Sequence, residues 1–175
     1  YRNETGLKVA DLGTGSGAIL VGFLYYCRDA VGVGIDISAE ALKIAEENGQ
    51  NLKITDRVEW RQGDYLKAFD EEDIFDGIFS NPPYIPTKDI GGLPGEVKHK
   101  PRLALDGGTD GLYFYHLLAK GAAEHLKPGG FLAVEFGIGQ ATDLLEMFQK
   151  SAQYEDFEVI KDYGGIERAL YCRKK

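Results

Sequence analysis

Asn81-Pro82-Pro83-Tyr84 is the stretch of this sequence best equipped for chemistry. Proline fixes its own φ and turns the residue before it away from helix. Asn81 and Pro82 are therefore extended, with carbonyls that no local helix claims. The two prolines also remove two N–H donors, which leaves a site rich in acceptors: the Asn81 side-chain oxygen and the Pro82 main-chain oxygen. Such a site suits a planar group bearing an NH2, with the Tyr84 ring laid against that plane and Pro83 keeping the loop stiff. Taken alone, the same residues describe a Pro-rich turn with a packed tyrosine. The rest of the chain has to decide.

A second candidate lies near the amino end, where Gly13-Thr14-Gly15-Ser16-Gly17 interrupts an apolar run. Glycines permit a tight strand-to-helix turn and let a ligand approach the backbone N–H groups at the helix start. Asp36 follows Gly17 by 19 residues, where a carboxylate grips ribose hydroxyls in dinucleotide-binding folds. Gly13-x-Gly15-x-x-Ala18 also fits the dinucleotide fingerprint, so spacing alone leaves NAD and S-adenosylmethionine both open.

The elements that must position these groups alternate. Leu7–Leu12 reads as a buried strand, and a helix runs from about Ser16 to Arg28, apolar nearly all round and so expected in the interior. Val31–Asp36 is a second strand. Ser38 offers an N-cap to a helix over Ala39–Leu52, striped at Ala41, Leu42, Ile44 and Ala45. Strands are expected at Arg57–Gly63 and Ile74–Ser80, the latter delivering Asn81. The segment Asn81–Gly111 is dense in Gly and Pro and reads as a lid or substrate loop. A helix over Leu112–Leu126 stops at Lys127-Pro128-Gly129-Gly130. Strand Phe131–Phe136, helix Ala141–Ser151 and strands Glu155–Lys161 and Glu167–Arg173 complete the chain. Alternation of this kind means an α/β doubly wound sheet, here seven-stranded and mostly parallel, with an antiparallel addition at one edge. In such sheets ligands bind outside the carboxyl ends of the strands, where the topology reverses.

Bulk properties narrow the function. At 175 residues the chain is one domain, able to bury roughly 70% of its unfolded surface. The net charge of −8 repels nucleic acid and anionic membranes as a whole. Cys27 and Cys172 have no metal-ligand or disulfide spacing, and His116 and His125, nine apart, and His99 in a loop read as solvated rather than ligating. No metal is expected. With no signal peptide or stretch of membrane-spanning length, the expected location is the cytoplasm. Lys98-His99-Lys100-Pro101-Arg102 is a basic run in an acidic protein. It reads as a solvated face, with steering of RNA or an acidic partner as the sharper alternative.

Asp11-Leu12-Gly13-Thr14-Gly15-Ser16-Gly17, in register with Asp36, Gly63-Asp64-Tyr65 and Asn81-Pro82-Pro83-Tyr84, resembles the class I methyltransferases. Within them the chain looks like the HemK/PrmC family, the release-factor glutamine methyltransferases. The resemblance continues through Pro101-Arg102-Leu103-Ala104-Leu105-Asp106-Gly107-Gly108 and Asp110-Gly111-Leu112 to Asp162-x-Gly164-Gly165-x-x-Arg168. Asn-Pro-Pro-Tyr is shared with DNA-adenine and RNA-guanine methyltransferases, whereas the Ala-Leu-Asp-Gly-Gly segment and the Asp…Gly…Arg tail are more particular to the glutamine enzymes.

The resemblance implies methyl transfer from S-adenosylmethionine to the side-chain nitrogen of a glutamine in a peptide chain release factor. It implies that Gly13, Thr14, Gly15, Ser16 and Gly17 cradle the methionine end, Asp36 the ribose, and Tyr65 one face of the adenine, with Asp64 near its amino group. Asn81, Pro82, Pro83 and Tyr84 become the catalytic loop, Asn81 also touching the cofactor. Two departures stand out. The family carries a helical N-terminal domain, whereas residue 1 here lies almost on the first strand, so the expectation is a catalytic domain over 1–175 without it. Lys100 precedes Pro101 where family members commonly carry glutamate. A nucleic-acid N-methyltransferase and a non-catalytic cofactor-binding module are the competing readings. The acidic charge counts against the first and the intact acceptor loop against the second.

Overall fold

The structure, a computed structural model, describes residues 5–94 and 101–175. Seven strands form one sheet: β1 (Lys8–Leu12), β2 (Val31–Asp36), β3 (Val58–Gln62), β4 (Phe75–Ser80), β5 (Leu126–Glu135), β6 (Tyr154–Lys161) and β7 (Glu167–Lys174). Their order across the sheet is β3-β2-β1-β4-β5-β7-β6. The first five are parallel, and β7 runs antiparallel between β5 and β6. The antiparallel addition falls at that side of the sheet because β6 and β7 have no helix between them. The order reverses at β1 and β4, whose carboxyl ends lead into the glycine run and into Asn81.

A parallel sheet covered on both faces has strands that read as continuous apolar runs, and Val9, Ala10 and Leu12 are all wholly buried. Val9 joins a cluster with Leu20, Leu24 and Ile54 on the face covered by α1 (Ala18–Tyr26) and α2 (Ala39–Asn51). Ala10 and Leu12 point the other way, into a cluster with Ile78, Tyr115, Leu118 and Leu144 under α3 (Tyr113–Gly121) and α4 (Ala141–Lys150). Single-residue alternation thus divides one strand between two cores.

Composition misleads at α1. Leu20, Val21 and Leu24 are buried, yet Tyr25 and Tyr26 at its carboxyl end are 48% and 84% exposed. An outer-layer helix touches the sheet along one stripe, and nothing among the described residues covers the other side of this one. At α2 the cap is as expected, Ser38 Oγ accepting from Ala41 N at 3.1 Å. Its expected stripe holds only in part: Ala45 is buried, with Gly49 one turn on, while Ile44 stays half exposed. Lys127–Gly130, expected to precede a strand, are accommodated within β5. Leu126 pairs with Phe75, the register shifts, and Phe131 pairs with Gly77.

The described residues of the segment Asn81–Gly111 are held by short-range structure rather than by sheet. Turns of 3-10 helix span Thr87–Gly92 and Arg102–Ala104, and Ile85 pairs with Asp106 in an isolated parallel bridge. Lys98, His99 and Lys100, the core of the basic run, lie outside the described residues.

Candidate active site

Leu12 and Ser80 are register partners at the ends of β1 and β4. Gly13 and Asn81 are the next residues on each strand, so the glycine run and the Asn-Pro-Pro-Tyr loop leave the sheet side by side, on strands about 4.8 Å apart. The Ser80 hydroxyl donates to the Leu12 carbonyl at 2.8 Å and ties the two exits together.

Gly13, Gly15 and Gly17 have φ of +70°, +56° and +77°, the left-handed region that glycine adopts without steric cost. This winding turns the loop back over β2: Gly13 N and Thr14 N both donate to the Ile35 carbonyl at 2.9 Å. Asp36 completes the attachment, its Oδ2 accepting from Gly15 N at 2.8 Å and its Oδ1 from Ser38 N at 2.9 Å. The acid that spacing singled out thus also shapes the loop. Ser16 is exposed, and its carbonyl accepts from Asn48 Nδ2 at 2.9 Å. Gly17 serves packing, for a Cβ there would lie 3.0 Å from both Ala45 Cβ and Trp60.

Sequence reasoning gave no role to Asp11. It is 1% exposed, its Oδ2 accepts from Thr14 Oγ1 at 2.7 Å, and its Oδ1 has no partner. Burial pushes its carboxyl up to about 6, the Thr14 hydrogen bond opposing the rise and the Asp36 charge adding to it. An acid between apolar residues of a short buried strand was the available signal.

Tyr65 lies over the glycine run. Its hydroxyl stands 2.7 Å from where a Cβ on Gly13 would be, and its ring stacks on Phe114 with centroids 4.6 Å apart. The hydroxyl is buried without a hydrogen-bond partner, and burial raises its pKa, the neighbouring Ser80 hydroxyl offsetting part of the rise. Its φ of +49° is uncommon for a bulky side chain.

Beyond β4, Asn81 is exposed, Pro82 buried, and Pro83 and Tyr84 half-buried. Among the described residues no hydrogen-bond partner falls to the Asn81 side chain. The loop is held from behind by the segment that the resemblance singled out. Ile85 N donates to the Leu105 carbonyl at 3.1 Å, and Gly107 N to the Ile85 carbonyl at 2.9 Å. Asp106 Oδ1 accepts from Thr87 Oγ1 at 2.6 Å and from Gly108 N at 3.1 Å. These bonds hold its carboxyl below the ordinary value, the Thr87 contact contributing most. A Cβ on Gly107 would sit 2.8 Å from the Pro83 carbonyl, so the close approach requires glycine. The Leu-Asp-Gly segment is the loop's scaffold.

A cleft of about 490 Å³ opens beside Tyr84, with Ile85, Pro86, Gly137–Gln140 and Arg168 among its walls. Arg168 reaches it from the start of β7, just past the β6–β7 turn. Asp162 Oδ1 accepts from Gly164 N and Ile166 N there, and Asp162 Oδ2 accepts from Arg168 Nε at 3.1 Å. The Asp162–Arg168 pairing had no sequence signal beyond the resemblance, and the place of Gln140 in the cleft wall had none at all. The geometry thus joins a glycine-wrapped strand end, a ribose-type acid and an acceptor-rich loop at one switch point.

Comparison with known proteins bears on the family and the fold. A family model described as a methyltransferase domain matches residues 3–161. The chain is 41% identical over 167 residues to the release factor glutamine methyltransferase of Moorella thermoacetica, covering 95% of this chain and 59% of that protein. With its counterpart from Bradyrhizobium diazoefficiens the identity is 45% over 168 residues, covering 95% and 56%. The chain therefore spans somewhat over half the length of these relatives. In fold it resembles a methyltransferase from Pyrococcus furiosus, with a TM-score of 0.72 at 22% identity over 98% of this chain and 76% of that one. An RNA methyltransferase from Salinibacter ruber, solved with S-adenosyl-L-homocysteine, gives 0.58 at 20% identity over 96% and 80%. By the family match over most of its length, the chain belongs to the methyltransferase-domain family.

Proposed function

We propose that this domain transfers a methyl group from S-adenosylmethionine to the side-chain amide nitrogen of a glutamine in a peptide chain release factor, working in the cytoplasm. The observation that carries the reading is the exposed Asn81 side chain, unclaimed among the described residues and one strand away from the glycine run. Relatives at 41% and 45% identity that are named release factor glutamine methyltransferases support the substrate.

The residues present suit the cofactor. Nothing lies within 4 Å of a Cβ built on Gly15, so its surface is open to a ligand. Each Asp36 oxygen takes one backbone N–H, which leaves lone pairs for a ribose diol. Asp11 and Asp36 place negative charge beneath and beside a site for a cationic ligand. Tyr65 stands against Gly13, where it would border the adenine end. The bound cofactor supplies an electrophilic methyl on a sulfonium sulfur.

An amide nitrogen is a weak nucleophile because its lone pair is delocalised into the carbonyl. The chain's contribution is to hold that nitrogen in line with the methyl at near-attack distance. Asn81 Oδ1 and the Pro82 carbonyl accept the two amide protons, more strongly as positive charge grows on nitrogen. Tyr84 fixes the amide plane. The bound cofactor would give up its methyl to this nitrogen, and the acidified amide nitrogen would then release one proton to water.

The test incubates the protein with methyl-labelled cofactor and, separately, release factors and ribosomal RNA. Label on a release-factor glutamine supports the reading. Label on RNA alone replaces it with nucleic-acid methylation, and binding of cofactor without transfer to either leaves a binding module.

A further inference from the structure

Gln140 stands just before α4 and uses its whole amide on three separate loops. Its Oε1 accepts from Gly137 N at 2.8 Å, in the turn after β5. Its Nε2 donates to the Tyr84 carbonyl at 3.1 Å and to the Gly111 carbonyl at 3.3 Å. The packing is as close as the bonding. A Cβ on Gly111 would collide with the Tyr84 carbonyl oxygen and lie 3.0 Å from Gln140 Nε2, and one on Gly137 would lie 2.9 Å from Tyr84 Cδ2. The Tyr84 ring therefore rests on Gly137 while its backbone is held by Gln140. Ile85, the next residue of the same loop, is bonded to Leu105 and Gly107, so these bonds depend on where Gln140 holds the Tyr84 backbone.

We infer that Gln140 is a positioning residue for methyl transfer, its amide NH2 setting the height and tilt of the Pro83–Tyr84 backbone against the acceptor. This rests on the proposed glutamine chemistry, in which Tyr84 orients the amide plane. The Gln140 amide is engaged by three backbone groups. It acts through Tyr84, and a displacement of about 1 Å at a reacting centre costs on the order of 100-fold in rate. Cofactor affinity resides in the glycine run and Asp36, on the far side of β4, so the effect falls on turnover.

The experiment compares Gln140→Glu and Gln140→Met with wild type. Glutamate keeps the acceptor for Gly137 N and replaces the donor with a second oxygen facing two carbonyls. Methionine keeps the bulk and loses all three bonds. Single-turnover methylation of a release factor at saturating cofactor should fall about 100-fold in both variants, with the cofactor dissociation constant within about threefold of wild type as an uncoupled site requires. Hydrogen exchange gives a reading that needs no reaction. The Ile85 and Gly107 amides should lose protection in both variants while β1 and β4 keep theirs. A wild-type rate in Gln140→Glu overturns the role, as does cofactor binding that weakens in step with rate. If the wild type labels no glutamine, the functional reading fails by itself and exchange decides on Gln140: unchanged protection at Ile85 and Gly107 refutes it, selective loss upholds it.

Discussion

The Ser80 hydroxyl donates to the Leu12 carbonyl across the carboxyl ends of β4 and β1, at 2.8 Å and wholly buried. These are the last paired residues before Gly13 and Asn81, so one side-chain bond fixes the spacing between the glycine run and the Asn-Pro-Pro-Tyr loop. Ser80→Ala should cost about 1 kcal/mol of stability, the usual net worth of such a bond. Denaturant midpoints of the two proteins measure this, and an unchanged midpoint would show that the strand ends hold themselves.

Asp36 is bound at both oxygens to backbone N–H groups, so its removal loosens the loop as well as taking away the proposed ribose contact. Asp36→Ala should weaken S-adenosylmethionine binding by about 1.5–3 kcal/mol, the scale of charge-assisted hydrogen bonds. Calorimetry provides the number. Tighter binding of NAD than of S-adenosylmethionine by the wild type would sink the cofactor assignment.

Asn81→Ala should reduce turnover on the order of 10²–10³-fold, as loss of a hydrogen-bonding group that acts in the transition state does. Because the Asn81 side chain is exposed, the variant should melt within about 0.5 kcal/mol of wild type, like other surface changes. Steady-state rates on a folded variant are the check, and wild-type turnover would remove Asn81 from the chemistry.

Asp11 makes stability depend on pH in an unusual direction. Its carboxyl is raised to about 6 in the folded protein from 3.8, so between those values the native state holds the proton that the unfolded state has released. Stability from this group is therefore present below about pH 4 and lost as pH rises through 6, about 3 kcal/mol in all at 1.36 kcal/mol per unit. Asp11→Asn should remove that slope, making the difference between variant and wild type grow from pH 4 to 7. Parallel stability curves for the two proteins across this range would refute the assignment.

Tyr65 carries a buried hydroxyl without a partner, and an unsatisfied buried donor costs about 1–3 kcal/mol. Tyr65→Phe should accordingly stabilise the cofactor-free protein by about 1 kcal/mol. Thermal melts without ligand test it; a destabilised variant would mean that the hydroxyl is bonded, with Ser80 the nearest candidate.

What the sequence determined by itself was local. Glycine at 13, 15 and 17 and proline at 82 and 83 restrict the backbone whatever surrounds them, so the loop positions and the residues at their tips could be read directly. The strand–helix alternation followed from short-range periodicity for the same reason, and Asp36 from its place at a strand end. Tertiary structure alone decided what those pieces meet. Apolar composition around α1 could not reveal that one side packs on the sheet while Tyr26 faces solvent, because that depends on how many layers the fold has. The irregular pairing of Phe75 and Gly77 across Lys127–Gly130 depends on the partner strand. Asp11, read as part of a motif, gained its raised pKa only from the burial that surrounding elements impose. Gln140 carries no signal in sequence at all, since its three bonds go to backbone atoms of residues up to 56 positions away. Backbone atoms are chemically the same at every position, and only the folded chain determines which of them a side chain will find.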